Sequence, residues 1–244
     1  MLKREWMPER TRSVFDALSN QPLMSGFILI GGTALSMQIG HRLSEDLDFW
    51  YPSDQLPKSN IDTVLANLAA TGHHHEFVTP AWKISQARIN GTDLLAQSRD
   101  HVIDGVKVTF FARNDIPYQH FSKMRRLHEN GVSFEVMYKD AIFNMKSWLI
   151  SQRIRSRDLF DLMVFIRDQG KTIHDILQAG AAADPTYQRE YAKDVLVGNV
   201  PMDKEDEGFN SIGLHISVEE IQKFFLDCVN QYEVSVASSI LGKH

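Results

Sequence analysis

The chain has 244 residues, 43% of them hydrophobic and 23% charged. That balance excludes a wholly disordered, collagenous or coiled-coil protein and allows one large domain or two small ones. With 26 Lys and Arg against 31 Asp and Glu, the formal net charge is −5, so a whole-surface electrostatic grip on nucleic acid is not indicated, although a local basic patch is compatible.

The N-terminus MLKREWMPER has charges but no apolar signal core behind them. No later stretch approaches the roughly 18–20 apolar residues of a membrane span, so the expectation is a cytoplasmic protein with no membrane partner. After Pro8, which suits the first turn of a helix, Val14, Phe15 and Leu18 recur at helical spacing and predict a helix over 9–20. The run Phe27-Ile28-Leu29-Ile30 reads as a buried strand that stops at Gly31-Gly32. Thr33 to Ile39 reads as a helix capped by Gly40. Asp46-Leu47-Asp48-Phe49-Trp50-Tyr51 alternates polar and apolar residues and predicts a second strand. A helix over about 58–71 follows, then strands over about 74–79, 83–89, 94–103 and, after the turn Asp104-Gly105, 106–111. From about residue 137 the period becomes helical, over 138–151, 157–168, 172–180 and 186–196. A polar connection spans 198–213. Ser217-Val218-Glu219-Glu220 is a capping box. Behind it Ile221, Phe224, Phe225, Cys228, Val229, Tyr232 and Val236 form a buried stripe. Cys228 is the only cysteine, which excludes an internal disulfide or a Cys-rich zinc module, and its place in the stripe reads as structural. The expected organisation is a core over 1–115, a connecting segment over 116–135 and a helical domain over 136–244.

The chemistry concentrates in Phe27 to Tyr51. On a strand, Asp46 and Asp48 share a face at about 6.5–7 Å while Leu47 and Phe49 point into a core. Paired carboxylates of this kind suit a hard cation, Mg²⁺ or Mn²⁺, whose remaining ligands are typically water and phosphate oxygens. Upstream, Gly31-Gly32 and Thr33 open a helix, and the unpaired first N–H groups of a helix accept phosphate. Neither a G-x-x-x-x-G-K-[ST] loop nor a G-x-G-x-x-G loop is present. His73-His74-His75 alternate faces if extended and so do not converge on one ion.

Strand, Gly-Gly-Thr, short helix and Asp-x-Asp together resemble the nucleotidyltransferase fold related to DNA polymerase β. Within it, ILIGGTALSMQIGHRLSEDLDFW resembles the motif of the bacterial AbiEii/AbiGii toxin family, in which GGTAL precedes a basic pair, here His41-Arg42, and then S-x-D-x-D-F, here Ser44 to Phe49. A second family motif is matched by Lys146, by Arg153 seven residues on, and by Arg157-Asp158-Leu159-Phe160-Asp161-Leu162. The resemblance implies an α+β fold: a polymerase β-like core of mixed sheet and flanking helices, followed by a helical C-terminal half. It implies a metal-dependent enzyme that moves an NMP from an NTP to an acceptor hydroxyl. Asp46 and Asp48 would hold Mg²⁺ or Mn²⁺, with Asp158 a catalytic base or a group behind the metal. Gly31, Gly32, Thr33, Arg42, Lys146 and Arg153 would contact the nucleotide, Arg42 alternatively anchoring the helix-to-strand turn; Lys146 and Arg153, seven residues apart, share a face if the helix persists, the alternative for them being a solvated basic face that continues through Arg155 and Arg157. It further implies a toxin of a toxin–antitoxin or phage-defence module, an antitoxin encoded nearby, and an RNA acceptor such as tRNA. One position departs from the superfamily pattern. Many such enzymes carry a third carboxylate on a later strand, where this chain has Thr109, and the alternative reading is an inactive nucleotide- or protein-binding module.

Overall fold

The computed structural model describes residues 2–241 other than 204, 205, 207 and 210–212. The chain forms two units, Met1–Ile142 and Phe143–His244. In the first, α1 (Glu9–Ser19) leads into β1 (Ile28–Ile30), α2 (Gly31–Ile39) and β2 (Leu47–Tyr51). Next come α3 (Lys58–Ala70), β3 (His75–Phe77), α4 (Ala81–Ile89), α5 (Leu94–Gln97), β4 (Ser98–Ile103) and β5 (Val106–Ala112). The unit closes with α6 (Ile116–Ser122), β6 (Arg126–Leu127) and β7 (Glu135–Met137). The seven strands make one mixed sheet in the order β3-β4-β5-β2-β1-β7-β6. β2 runs parallel to β5 and β1 parallel to β7, and the other pairs are antiparallel.

Alternation along β2 follows the predicted register. Leu47 and Phe49 are fully buried whereas Asp48 is partly open. On the buried face Phe49 stacks on Phe110 and meets Phe134 edge-on, and Phe15 of α1 packs against Phe134. On the opposite face Trp50 and Phe111 are covered by Tyr118 of α6. The sheet therefore has a closed aromatic side and a side that stays open at the level of Asp48.

Three expected elements differ from the structure. Residues 83–89, expected as a strand, form α4: Pro80 starts the helix, Lys, Gln, Ala and Arg favour it, and Trp82 and Ile89 remain exposed. Residues 94–97 are not strand but the short α5, because the Asp93 side chain caps it by accepting from the Ala96 N–H at 3.2 Å. The stretch 116–135, expected as a connection, carries α6, capped by Asp115, and leads to β7, whose pairing with β1 extends the sheet. Three-residue strands such as β7 are too short to show a period.

His101 on β4 is an unusual core residue. It is 4% exposed, lies against Phe77 and Phe110, and neither ring nitrogen has a hydrogen-bond partner among the described residues. Burial, with the charges of His75 and Arg99 adding to it, pushes its pKa down to about 4. The unfolded chain, with an ordinary imidazole near 6.5, therefore binds a proton first on acidification. Stability is complete above about pH 6.5 and is lost as pH falls toward 4, by up to about 3 kcal/mol. Urea midpoints at pH 7 and pH 5 should show this loss in the native chain and a smaller one in His101→Leu. An equal loss in both would clear His101 of the effect.

The second unit is helical: the end of α7 (Lys139–Leu149), then α8 (Ser156–Gln169), α9 (Ile173–Ala183), α10 (Arg189–Val197) and α11 (Val218–Leu241). The Ser217/Glu220 capping box is formed in both directions, at 3.1 and 2.7 Å. Ile221, Phe225 and Val229 are the buried stripe of α11, and Cys228 beside them is half-buried, its thiol pKa raised by burial. Part of the polar connection expected over 198–213 lies outside the described residues. No helix among the described residues is long and apolar enough to cross a membrane.

Candidate active site

The corner between β1 and β2 is built from the first motif. β1 and β2 are antiparallel with Ile30 opposite Asp48, so the chain leaving β1 turns into α2 directly beside that carboxylate. Gly31 makes the turn with φ +76, and a Cβ there would stand 2.9 Å from Asp48 Oδ2. Any other residue would meet both the strained backbone and the carboxylate. The helix begins earlier than expected, at Gly31 rather than Thr33, which brings its unpaired N–H groups to the level of Asp48.

Thr33 and Arg42 work from behind this corner. Thr33 is buried, and its hydroxyl donates to the Asp46 carbonyl at 2.5 Å and lies 2.9 Å from Ser44 Oγ. Thr11 of α1 donates to the neighbouring Glu45 carbonyl at 2.8 Å. The two hydroxyls pin the backbone of the loop that carries Asp46. Arg42 is 5% exposed, its Nη1 donates to the Leu43 carbonyl at 3.0 Å, and its Nη2 lies 2.6 Å from the position a Gly32 Cβ would take. The guanidinium thus fills the space beneath Gly32. Of the two roles open to Arg42 from sequence, phosphate contact or anchor of the helix-to-strand turn, this packing matches the anchor.

The row of residues across the sheet at Asp48 is informative. β2 and β5 pair Asp48 with Thr109, and β5 and β4 pair Thr109 with Asp100. Thr109 Oγ1 donates to Asp100 Oδ1 at 3.1 Å. The position where a third carboxylate was expected does hold Thr109, adjacent to Asp48, and the next strand supplies a carboxylate one step further away. Asp100 is not among the residues expected from sequence: the turn Asp104-Gly105 sets it opposite Thr109, but only the sheet order brings that pair beside Asp48. Among the described residues no group of three or more His, Cys, Asp or Glu is placed to hold a metal ion. The donor chemistry on offer from Asp46 and Asp48 is two carboxylates, all oxygen, with room made by Gly31. That fits a hard divalent cation that keeps other ligands from water or substrate.

The second motif forms a separate cluster within the helical unit. Lys146, expected on a solvated face, is instead 4% exposed, with Nζ 2.5 Å from Asp158 Oδ1 and 2.8 Å from Asp161 Oδ2. The two aspartates lie one turn apart on α8 and so face the same way. Arg153 does not continue the α7 helix, which ends at Leu149. It reaches Asp158 from the following turn, Nη2 to Oδ2 at 3.1 Å, with half its side chain exposed. Burial would raise the Asp158 pKa, but the ammonium of Lys146 and the guanidinium of Arg153 outweigh it and hold the carboxyl below its usual range. Asp161 likewise pairs across to α7 through Lys146. The physical reason for the difference is burial: Met145, Ser147 and Trp148 on both sides of Lys146 are all in the core, so its charge needs a partner there.

His73 does not contribute to this chemistry. Its Nδ1 lies 2.6 Å from Asp104 Oδ2, which also brings Asp104 within reach of the His74 N–H at 2.8 Å.

Compared with known proteins, residues 12–222 match the family described as "Nucleotidyl transferase AbiEii toxin, Type IV TA system". The chain is similar to an uncharacterised protein of Aquifex aeolicus (strain VF5), 26% identical over 174 residues that cover 70% of this chain and 72% of that one. Among solved structures, it is similar to a candidate nucleotidyltransferase from H. pylori, at 16% identity and a TM-score of 0.49 over 93% of this chain and 97% of that one. It is also similar to JHP933 from Helicobacter pylori, at 13% identity and a TM-score of 0.47 over 96% and 97%.

Proposed function

The chain belongs to the AbiEii family of nucleotidyltransferase toxins of type IV toxin–antitoxin systems, and from that premise we propose that it moves a nucleoside monophosphate from an NTP to an acceptor hydroxyl, with RNA such as tRNA as the acceptor class and with release of pyrophosphate. The observation that carries this reading is the placement of Asp48 against Gly31 at the start of α2. A carboxylate for a cation and backbone N–H groups for phosphate meet at one point, as phosphoryl transfer requires. Membership implies an antitoxin partner.

Asp46 and Asp48 are the groups that would hold Mg²⁺ or Mn²⁺, which when bound neutralises phosphate charge and polarises the α-phosphorus. Gly31 and Gly32 let the backbone approach the triphosphate closely, and the α2 N-terminus favours its negative charge. Thr33 holds the Asp46 backbone, and Arg42 supports Gly32 from below. Within the helical unit, Lys146, Asp158 and Arg153 are proposed to serve the reaction as a fixed ion cluster.

The rival reading, a binding module without turnover, is favoured by Thr109 standing beside Asp48. The experiment that separates them is Mg²⁺-dependent pyrophosphate release with labelled NTPs and total RNA. Label incorporated into RNA supports transfer. Tight NTP binding with no pyrophosphate above the background of an Asp48→Asn control would establish the rival.

A further inference from the structure

The open face of the sheet carries a cavity of about 670 Å³ that begins at Thr109 and extends away from Gly31. Its walls include Leu94, Gln97, Ser98, Thr109, Phe111 and Asn114. We propose that this cavity is the acceptor subsite, taking the terminal nucleoside of a nucleic-acid strand and presenting its ribose hydroxyl to the α-phosphorus of the NTP. The inference rests on the nucleotidyl-transfer reading above and adds to it the place where the acceptor binds.

The first argument is the order of strands. In an in-line displacement the attacking hydroxyl and the leaving pyrophosphate lie on opposite sides of the phosphorus. β2, with Asp48, is flanked by β1 on one side and β5 on the other. The phosphate corner follows β1, so the leaving group belongs on that side. The nucleophile then enters from the β5 side, where Thr109 is at once the register partner of Asp48 and a wall of the cavity. The acceptor oxygen bonds to the α-phosphorus as the bond from that phosphorus to the bridging oxygen breaks. Pyrophosphate leaves with the electron pair, and the hydroxyl proton passes to water.

The second argument is the chemistry of the lining. The guanidinium of Arg113 is already committed to Asp115, at 2.7 Å, and lies over the Tyr118 ring. Asp54 adds a further negative charge. A polyphosphate is therefore disfavoured here. The remaining groups are the amides of Gln97 and Asn114, the hydroxyls of Ser98 and Thr109, and the partly open ring of Phe111. These suit a neutral, planar, hydrogen-bonding ring with a sugar, since single-stranded bases are held by stacking on aromatic side chains and by their polar edges. The volume lies within the range that encloses a small ligand, roughly 300–1,000 Å³. An extended peptide is favoured less. Peptides that add to a sheet need an open strand edge, whereas β4 and β5 are both interior strands.

The test uses the full chain with two variants, Gln97→Trp, which fills the cavity from an exposed position, and Asn114→Ala, which removes a polar contact. The acceptor probe is a short single-stranded oligoribonucleotide with a free 3′ end, alongside the same oligomer ending in a 2′,3′-dideoxy nucleoside. The expected result is a KM for the oligomer raised at least tenfold in Gln97→Trp and several-fold in Asn114→Ala, with the Kd for NTP in Mg²⁺ unchanged within twofold and no transfer to the dideoxy oligomer. An NTP affinity weakened as much as the oligomer KM would assign the cavity to the donor nucleoside and overturn the inference. So would unchanged values for both substrates, or transfer to protein hydroxyls alone. Absence of Mg²⁺-dependent NTP binding in the unaltered chain would instead overturn the underlying nucleotidyl-transfer reading, and the inference with it.

Discussion

Asp48→Asn is expected to lose nucleotidyl transfer by on the order of a thousand-fold, while its melting temperature stays close to that of the native chain. A metal-held phosphate contributes several kcal/mol to the transition state, and about 1.4 kcal/mol corresponds to each tenfold in rate. Asparagine keeps the shape of the side chain and so keeps the fit against Gly31, but it removes the charge that a hard cation needs. The packing of β2 is carried by Leu47 and Phe49, both fully buried on the other face, so the fold should not notice the change. Pyrophosphate release at the native rate in this variant would remove Asp48 from the metal site. A large fall in melting temperature would show that the carboxylate holds the corner together rather than serving the reaction.

The second large effect is expected on stability. Lys146→Met should destabilise the helical unit by about 3–5 kcal/mol, because removing one partner of a buried ion pair leaves charge behind without compensation. The Asp158 and Asp161 side chains are 5% and 0% exposed, and Lys146 is the cation within 2.8 Å of both. Arg153 stays on Asp158 with half its side chain exposed. In a chain of this size the melting temperature should fall by about 10 °C. The sign of the pH dependence follows from the lowered Asp158 pKa. A depressed carboxyl contributes stability above its unfolded value, and that contribution is lost as pH falls through the folded one. The gap between native chain and variant in urea unfolding should therefore hold down to about pH 4, where unfolded carboxylates take up protons, and narrow below it. A variant that melts with the native chain at pH 7 would return Lys146 to a solvated face.

Much of the candidate site was legible before any coordinates, and the reasons are local. The β-branched run before Gly31, the alternation from Asp46 to Tyr51 and the position of Thr109 depend on periods of two and on glycine's freedom at positive φ. Both are properties of a few consecutive residues. The helices from α7 onward were legible in the same way, since a buried stripe repeats over several turns. Segments with a short or broken period were misread: α4 looked like a strand, and β6 and β7 left too few residues to show one.

What the sequence determined by itself, then, is the family, the alternation along β2 that turns Asp48 away from Leu47 and Phe49, and the need for glycine beside that carboxylate. What only the tertiary structure decided is which side chains face ligand and which face the protein. Thr33 and Arg42 belong to the motif, yet their polar atoms turn inward to Asp46, Leu43 and the space under Gly32. Lys146 belongs to the second motif and was expected to meet the nucleotide, yet α8 folds two aspartates onto it. Asp100 reaches Thr109 only through the register of two strands. Burial and pairing of a charge depend on residues distant in the chain, and a buried charge costs several kcal/mol unless such partners arrive. No short window of sequence carries that information, because the partners of each charge are chosen by packing.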